Sequence, residues 1–162
     1  MAAPLRYWDS CAFLGWLANE ADKVDECRGV IRAAEDGNLR LVTSSLTLTE
    51  VIKLKSQTPL PPDKEPEIRA FFMHDWIVVR QLDRRTAEYA RELIWQHTFD
   101  PKDAVHVATA VLARVPHFDT FDGDLIKRSG HIGDPPLVIA RPYVPEQLGL
   151  DLSDQASSDE DG

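Results

Sequence analysis

The feature that most restricts the fold is an alternation. Short apolar runs too brief to be helices, LRYWD (5–9), LRLVTS (39–44), WIVVRQL (76–82), HFDTF (117–121) and PLVIA (136–140), read as strands. Between them lie segments with a helical period: CAFLGWLANE, KVDECRGVIRAAED, LTLTEVIKLKS, EIRAFFMHD, RRTAEYARELIWQH and DPKDAVHVATAVLARV. Strands that take turns with helices predict a mostly parallel sheet covered on both faces, a three-layer α/β/α arrangement. Gly37 stands where a helix C-cap belongs, Asp83 where an N-cap belongs, and QTPLPPDKEP is a proline-rich loop. DGDLIKRSG reads as a turn into a short helix.

The 162 residues suffice for one domain with one sizeable core, and 43% hydrophobic with 28% charged residues excludes disorder for the bulk. The domain is expected over residues 1–145 and a tail over 146–162. No apolar run approaches the roughly 18 residues of a membrane span, and MAAPLRYWDS lacks the apolar centre of a signal peptide. Cytoplasmic residence without a membrane partner is the expectation. Two cysteines, Cys11 and Cys27, offer neither a disulfide framework nor a four-cysteine zinc site, and read as buried thiols.

A net charge of −9 argues against wrapping a nucleic acid, because phosphate binding is driven largely by lysine and arginine. Five of those charges, Asp151, Asp154, Asp159, Glu160 and Asp161, sit in the serine-rich tail, which reads as a disordered, solubilising end.

Open parallel sheets bind ligands beyond the carboxyl ends of their strands, where strand order reverses. Acids at such places carry weight. Asp9 closes the first strand, Asp122 and Asp124 follow the strand that starts at His117, Glu50 follows the second strand, and Asp103 opens the helix before the Asp122 strand. Each has an ordinary alternative. Thr47 and Glu50 have the spacing of a capping box, Asp100 and Asp103 with Pro101 fit a helix start, and Asp119, Asp122 and Asp124 fit a solvated turn. Asp9, between aromatic residues and the apolar CAFLGWL, is harder to account for. Carboxylates gathered at one sheet edge repel unless a cation joins them, and oxygen ligands suit Mg2+ or Mn2+. Paired ions of this kind hydrolyse phosphodiesters.

At these residues the sequence resembles the PIN-domain ribonucleases, of the kind that form the VapC-type toxin of toxin–antitoxin pairs. YWDSCAFL is similar to the family's strand-Asp-Ser/Thr-x-x-Leu start, SSLTLTEV to the segment supplying an acid from the third helix, DPKDAVHVATA to Asp-Ala-x-x-x-Ala-x-Ala, and DTFDGDL to Thr-x-Asp-x-Asp-Phe/Leu. The likeness runs from about residue 5 to residue 142. It implies a PIN-like fold and a metal-dependent endoribonuclease. In it Asp9, Glu50, Asp103 and Asp122 hold Mg2+ or Mn2+, Asp124 adds an acid, and Ser10 and Thr120 lend supporting hydroxyls. The implied ions activate water for in-line attack on RNA and stabilise the leaving oxygen, with no covalent intermediate. No histidine base is needed, so His106 is expected to pack or to support.

The resemblance also implies a small antitoxin, whose helix is expected in a groove lined by Phe13, Leu14, Leu17 and Val51, and a homodimer. Cys11 departs from the Ser, Thr or Asn common at its place. A basic rim for RNA is expected from Lys53, Lys55, Arg84, Arg85, Lys102, Lys127 and Arg128.

The runner-up is a catalytically inactive PIN-like scaffold that binds protein or RNA. FDTFDGDL bears a superficial likeness to the loop of haloacid-dehalogenase-type phosphatases, but Asp119 and Asp122 stand three apart rather than two. The sequence contains no P-loop, Rossmann glycine fingerprint, His-Glu-x-x-His or nucleophile elbow.

Overall fold

The structure, a computed structural model, describes residues 2–53 and 57–144. Lys55 and the acidic tail from residue 146 lie outside the described residues, so the readings made of them stay expectations.

The strands are β1 (Leu5–Trp8), β2 (Arg40–Ser44), β3 (Ile77–Arg80), β4 (His117–Asp119) and β5 (Val138–Ala140). The helices are α1 (Ser10–Leu17), α2 (Val24–Glu35), α3 (Thr47–Glu50), α4 (Glu65–Phe72), α5 (Arg84–His97), α6 (Pro101–Leu112) and α7 (Gly123–Ile126). The strands form one sheet in the order β3-β2-β1-β4-β5, and every pairing is parallel. The expected three-layer architecture is therefore present, and the sheet is parallel throughout rather than mostly so.

Each face of the sheet carries its own core. Tyr7, Val42, Phe118 and Ile139 pack with residues of α5 and α6 such as Leu93, Ala104 and Val107. Trp8 and Leu41 pack on the other side with Phe13 of α1 and Val30 and Ile31 of α2, flanked by Phe71 and Phe72. Tyr7 and Trp8 are neighbours in the chain and fully buried on opposite faces, the period of two that a strand imposes. A strand covered on both sides loses the usual polar alternation, which is why LRYW reads as almost continuously apolar.

Several boundaries follow from capping chemistry. Asp9 accepts from the Ala12 amide (3.0 Å) at the start of α1, Asp83 from the Thr86 amide (2.8 Å) at α5, and Asp100 from the Lys102 amide (3.0 Å) at α6. Gly37, at φ +79°, takes the left-handed conformation just past α2.

Of the helix expected over residues 46–56, the described part, up to Lys53, holds a single turn, Thr47–Glu50, and residues 54–56 lie outside the described residues. The amide of Leu60 donates to the carbonyl of Ile52 (2.7 Å), so the chain folds back where the helix was expected to continue. The proline-rich stretch is not all loop: Pro62–Lys64 form a 3-10 turn that leads into α4, with Pro66 in its first turn, where its missing N–H costs nothing.

Candidate metal centre

The order β3-β2-β1-β4-β5 means that the chain leaves β1 in one direction for β2 and β3, then crosses back to place β4 on β1's other side. The switch point thus lies between the carboxyl ends of β1 and β4, where parallel sheets form their ligand crevices. In register, Trp8 sits opposite Asp119, so Asp9 and Thr120 are the first residues past the two strand ends. They meet: the Thr120 hydroxyl donates to Asp9 Oδ2 at 2.6 Å, while Asp9 Oδ1 caps α1. Thr120 Oγ1 also accepts from the Asp122 amide (3.1 Å), which ties the β4–α7 turn to the same point.

Asp9 is 3% exposed, and burial raises its pKa, opposed by His106 and by the hydrogen bonds from Thr120 and Ala12. Asp122 pushes it further up. Asp103, half-buried in the first turn of α6, is pushed up to about 6 by burial and then by the charges of Asp122 and Asp9. Asp100, not Asp103, caps α6, which leaves Asp103 without the capping duty the sequence allowed for it. Among the described residues no lysine or arginine forms an ion pair with Asp9, Asp103 or Asp122. These three acids feel one another, with no lysine or arginine paired to them among the described residues.

The other expected members differ. Glu50 does not close a capping box: the Thr47 hydroxyl pairs with Thr43 Oγ1 (2.7 Å), and Glu50 Oε1 lies 2.7 Å from His106 Nε2. Asp124 is exposed, 3.8 Å from Lys127, and shares with Asp103 a cleft of about 290 Å3 beside Phe99 and Arg128. Ser10 is buried as the first residue of α1. Among the described residues, no three His, Cys, Asp or Glu side chains converge as a ready-made ion site. Asp9 and Asp122 each give an oxygen to a helix start, and Glu50 is drawn to His106.

Asp119, in the strand read from HFDTF and allowed a solvated turn as an alternative, is buried in β4, and sequence reasoning missed its role. Arg6 Nη2 donates to Oδ1 (2.7 Å) and the Trp8 indole to Oδ2 (2.8 Å). Arg6 also donates to the Tyr143 carbonyl (2.7 Å). An arginine inside the apolar string LRYW was the available signal, because a buried guanidinium requires an acceptor.

The expected antitoxin groove is corrected as well. Phe13, Leu14 and Val51 are buried in the core, whereas Leu17 is half-buried and lines a groove of about 510 Å3 with Trp16 and Phe71. Another open, partly apolar groove of about 510 Å3 is lined by Leu48, Ile68, Phe72, Met73, Ile77 and Val79 among others. The basic rim is thinner than expected. Arg84 pairs with Glu88, and Arg128 donates to the carbonyls of His97 and Thr98 with its guanidinium over the Phe99 ring. Lys53, Arg85 and Lys102 are exposed.

A parallel three-layer sheet with Asp9 and Asp122 beside its switch point places the chain in the class of open α/β proteins. The chain belongs to the PIN domain family, whose profile matches residues 6–130. No curated protein sequence matches it. Among solved structures, a chain from a toxin–antitoxin complex of Klebsiella pneumoniae is similar with a TM-score of 0.57 at 17% identity, over 86% of this chain and 99% of that one. VapC20 of Mycobacterium tuberculosis, a toxin that cleaves the sarcin–ricin loop, is similar with a TM-score of 0.58 at 16% identity, over 74% and 91%. At such identities the likeness speaks for the fold. No described helix is long and apolar enough to cross a membrane.

Proposed function

We propose that this chain is a divalent-metal-dependent endoribonuclease and the toxin of a toxin–antitoxin pair. The observation that carries the reading is that Asp9, Asp103 and Asp122 lie at the β1–β4 switch point, that burial and neighbouring acids raise the pKa of Asp9 and Asp103, and that among the described residues none of the three has a lysine or arginine ion pair. A purely structural site would not assemble like charges there, whereas an oxygen-only donor set fits Mg2+ or Mn2+. Asp9, Glu50, Asp103 and Asp122 would hold the ion, with Asp124 at the margin.

A bound divalent ion supplies Lewis acidity toward the scissile phosphate and lowers the pKa of water. The protein's own part is to hold its acids still. Asp9 is fixed by Thr120 and the Ala12 amide, and Asp103 and Asp124 face the cleft in which a strand of RNA lies, with Lys127 at its edge. The Klebsiella neighbour comes from a toxin–antitoxin complex, and an antitoxin of this chain would cover the groove of Leu48, Phe72 and Met73, where Met73 is 78% exposed. Pairing of two copies is a further element of the proposal. A catalytically inactive scaffold remains the competing reading.

The test is cleavage of single-stranded RNA with Mg2+ or Mn2+ by wild type and Asp9→Asn. Asparagine caps a helix as well as aspartate does, so the fold is kept while a ligand charge is removed. We expect cleavage to fall at least about a thousandfold, roughly 4 kcal/mol of transition-state stabilisation. Equal cleavage by a folded Asp9→Asn would overturn the assignment, and absence of both metal binding and cleavage in the wild type would favour the scaffold.

A further inference from the structure

Three side chains from three elements form a line beside the acid cluster. His106 of α6 is 2% exposed, with Nδ1 2.7 Å from the Tyr7 hydroxyl of β1 and Nε2 2.7 Å from Glu50 Oε1 of α3. Counting donors and acceptors fixes the hydrogens. A carboxylate only accepts, so an imidazole nitrogen at this distance must donate to it. In the neutral ring Nε2 therefore carries the hydrogen, and Nδ1 accepts from the Tyr7 hydroxyl. Both ring nitrogens are used, and neither is left to take a proton from a substrate.

Glu50 needs such a holder more than the other acids do. It ends a helix of one turn, too short to be stable alone. Its side chain has three torsions, whereas Asp9 and Asp103 have two each. Asp9 is clamped by two hydrogen bonds, Glu50 by His106. Moreover His106 lies three residues after Asp103 on α6, the spacing that puts two side chains on one helix face.

We propose that His106 is a positioning residue: anchored by Tyr7, it holds Glu50 Oε1 and so turns Oε2 toward the acids of the crevice. This rests on the metal-ion reading of the site given above. By this arrangement α6 sets two of the acids, Asp103 directly and Glu50 through the imidazole. Carboxylate ligands are commonly steadied by such outer hydrogen bonds, whose loss lowers metal affinity about 10–100-fold.

The experiment is Mn2+ calorimetry on the full chain, comparing wild type, His106→Gln and His106→Asn. The glutamine amide nitrogen reaches the place of Nε2 and keeps a donor on Glu50, while the asparagine amide reaches only the place of Nδ1. We expect His106→Asn to bind Mn2+ about 10–100-fold more weakly and His106→Gln to recover most of the loss. A metal-free readout accompanies it: long-range proton–nitrogen spectra should show the hydrogen on His106 Nε2, with a resonance that moves in Glu50→Gln. A hydrogen on Nδ1, or a ring signal indifferent to Glu50→Gln, overturns the inference without any metal. Equal Mn2+ affinity in wild type and His106→Asn overturns it too. A wild type that binds no Mn2+ instead brings down the metal reading, and the inference with it.

Discussion

Asp9 and Asp119 are two buried aspartates at the ends of adjacent strands, and their surroundings are opposite. Asp119 is 1% exposed and meets the Arg6 guanidinium and the Trp8 indole; Asp9, 3% exposed, meets a hydroxyl and an amide but, among the described residues, no lysine or arginine. Burial raises the pKa of both, and for Asp119 the value is about 6 despite Arg6. Depth alone therefore does not separate a structural acid from a candidate ligand. The presence or lack of a fixed cation does, because a fold that buries a charge for its own stability also brings the partner.

Removing Arg6 should break this contrast most sharply. Arg6→Met leaves Asp119 buried without its partner and is expected to cost about 3 kcal/mol in urea unfolding at pH 7. That is the low end for a broken buried pair, since a carboxyl already near 6 escapes its charge by taking a proton. Asp9→Asn, by the same measurement, should cost nothing or stabilise the metal-free protein. A comparable loss in both would erase the distinction.

Thr120→Val tests the hydroxyl that links the two strand ends. It removes the donor to Asp9 and the acceptor of the Asp122 amide at nearly constant volume, so a loss of about 1–2 kcal/mol is expected. A loss below 0.5 kcal/mol, roughly what an exposed substitution costs, would mean that water replaces the hydroxyl there.

The smallest effect concerns Asp103. Its pKa is raised from 3.8 to about 6 in the folded chain, so between those values the native state binds the proton that the unfolded state has lost. Stability of the metal-free protein then falls as pH rises from about 4 to 6. Asp103→Asn should be no more stable than wild type at pH 4 and more stable above pH 6, by under about 1 kcal/mol because the group is partly solvated. Thermal scans of both proteins across that range check the sign, and a gap that narrows with rising pH would refute it.

The strands, the parallel sheet and the carboxyl-end placement of Asp9 were legible because each depends on residues near one another in sequence: apolar runs, period and caps. What was not legible depends on partners far apart. Arg6 finds Asp119 113 residues later, and Tyr7 finds His106 99 residues later. The acid of HFD, at the end of a run read as a strand, fitted a solvated turn equally well, since nothing local tells an aspartate at a strand end from one paired beneath it. The helix over 46–56 was overestimated for the opposite reason: its local pattern is helical, but the Leu60-to-Ile52 bond and the uses found for Thr47 and Glu50 override it. Phe13, Leu14 and Val51 were apolar in the right pattern for a groove, and periodicity cannot say which apolar face is already covered.

The crevice between β1 and β4 joins Asp9 to Thr120 across 111 residues. During synthesis, an N-terminal portion that already holds Asp9 and Glu50 has neither the strand that builds the far wall nor Asp122. Domains fold as units once their chain has emerged, at about 5–20 residues per second. A nascent chain therefore lacks this crevice until almost all of the described fold is made, and only then do Asp9, Asp103 and Asp122 stand at one sheet edge.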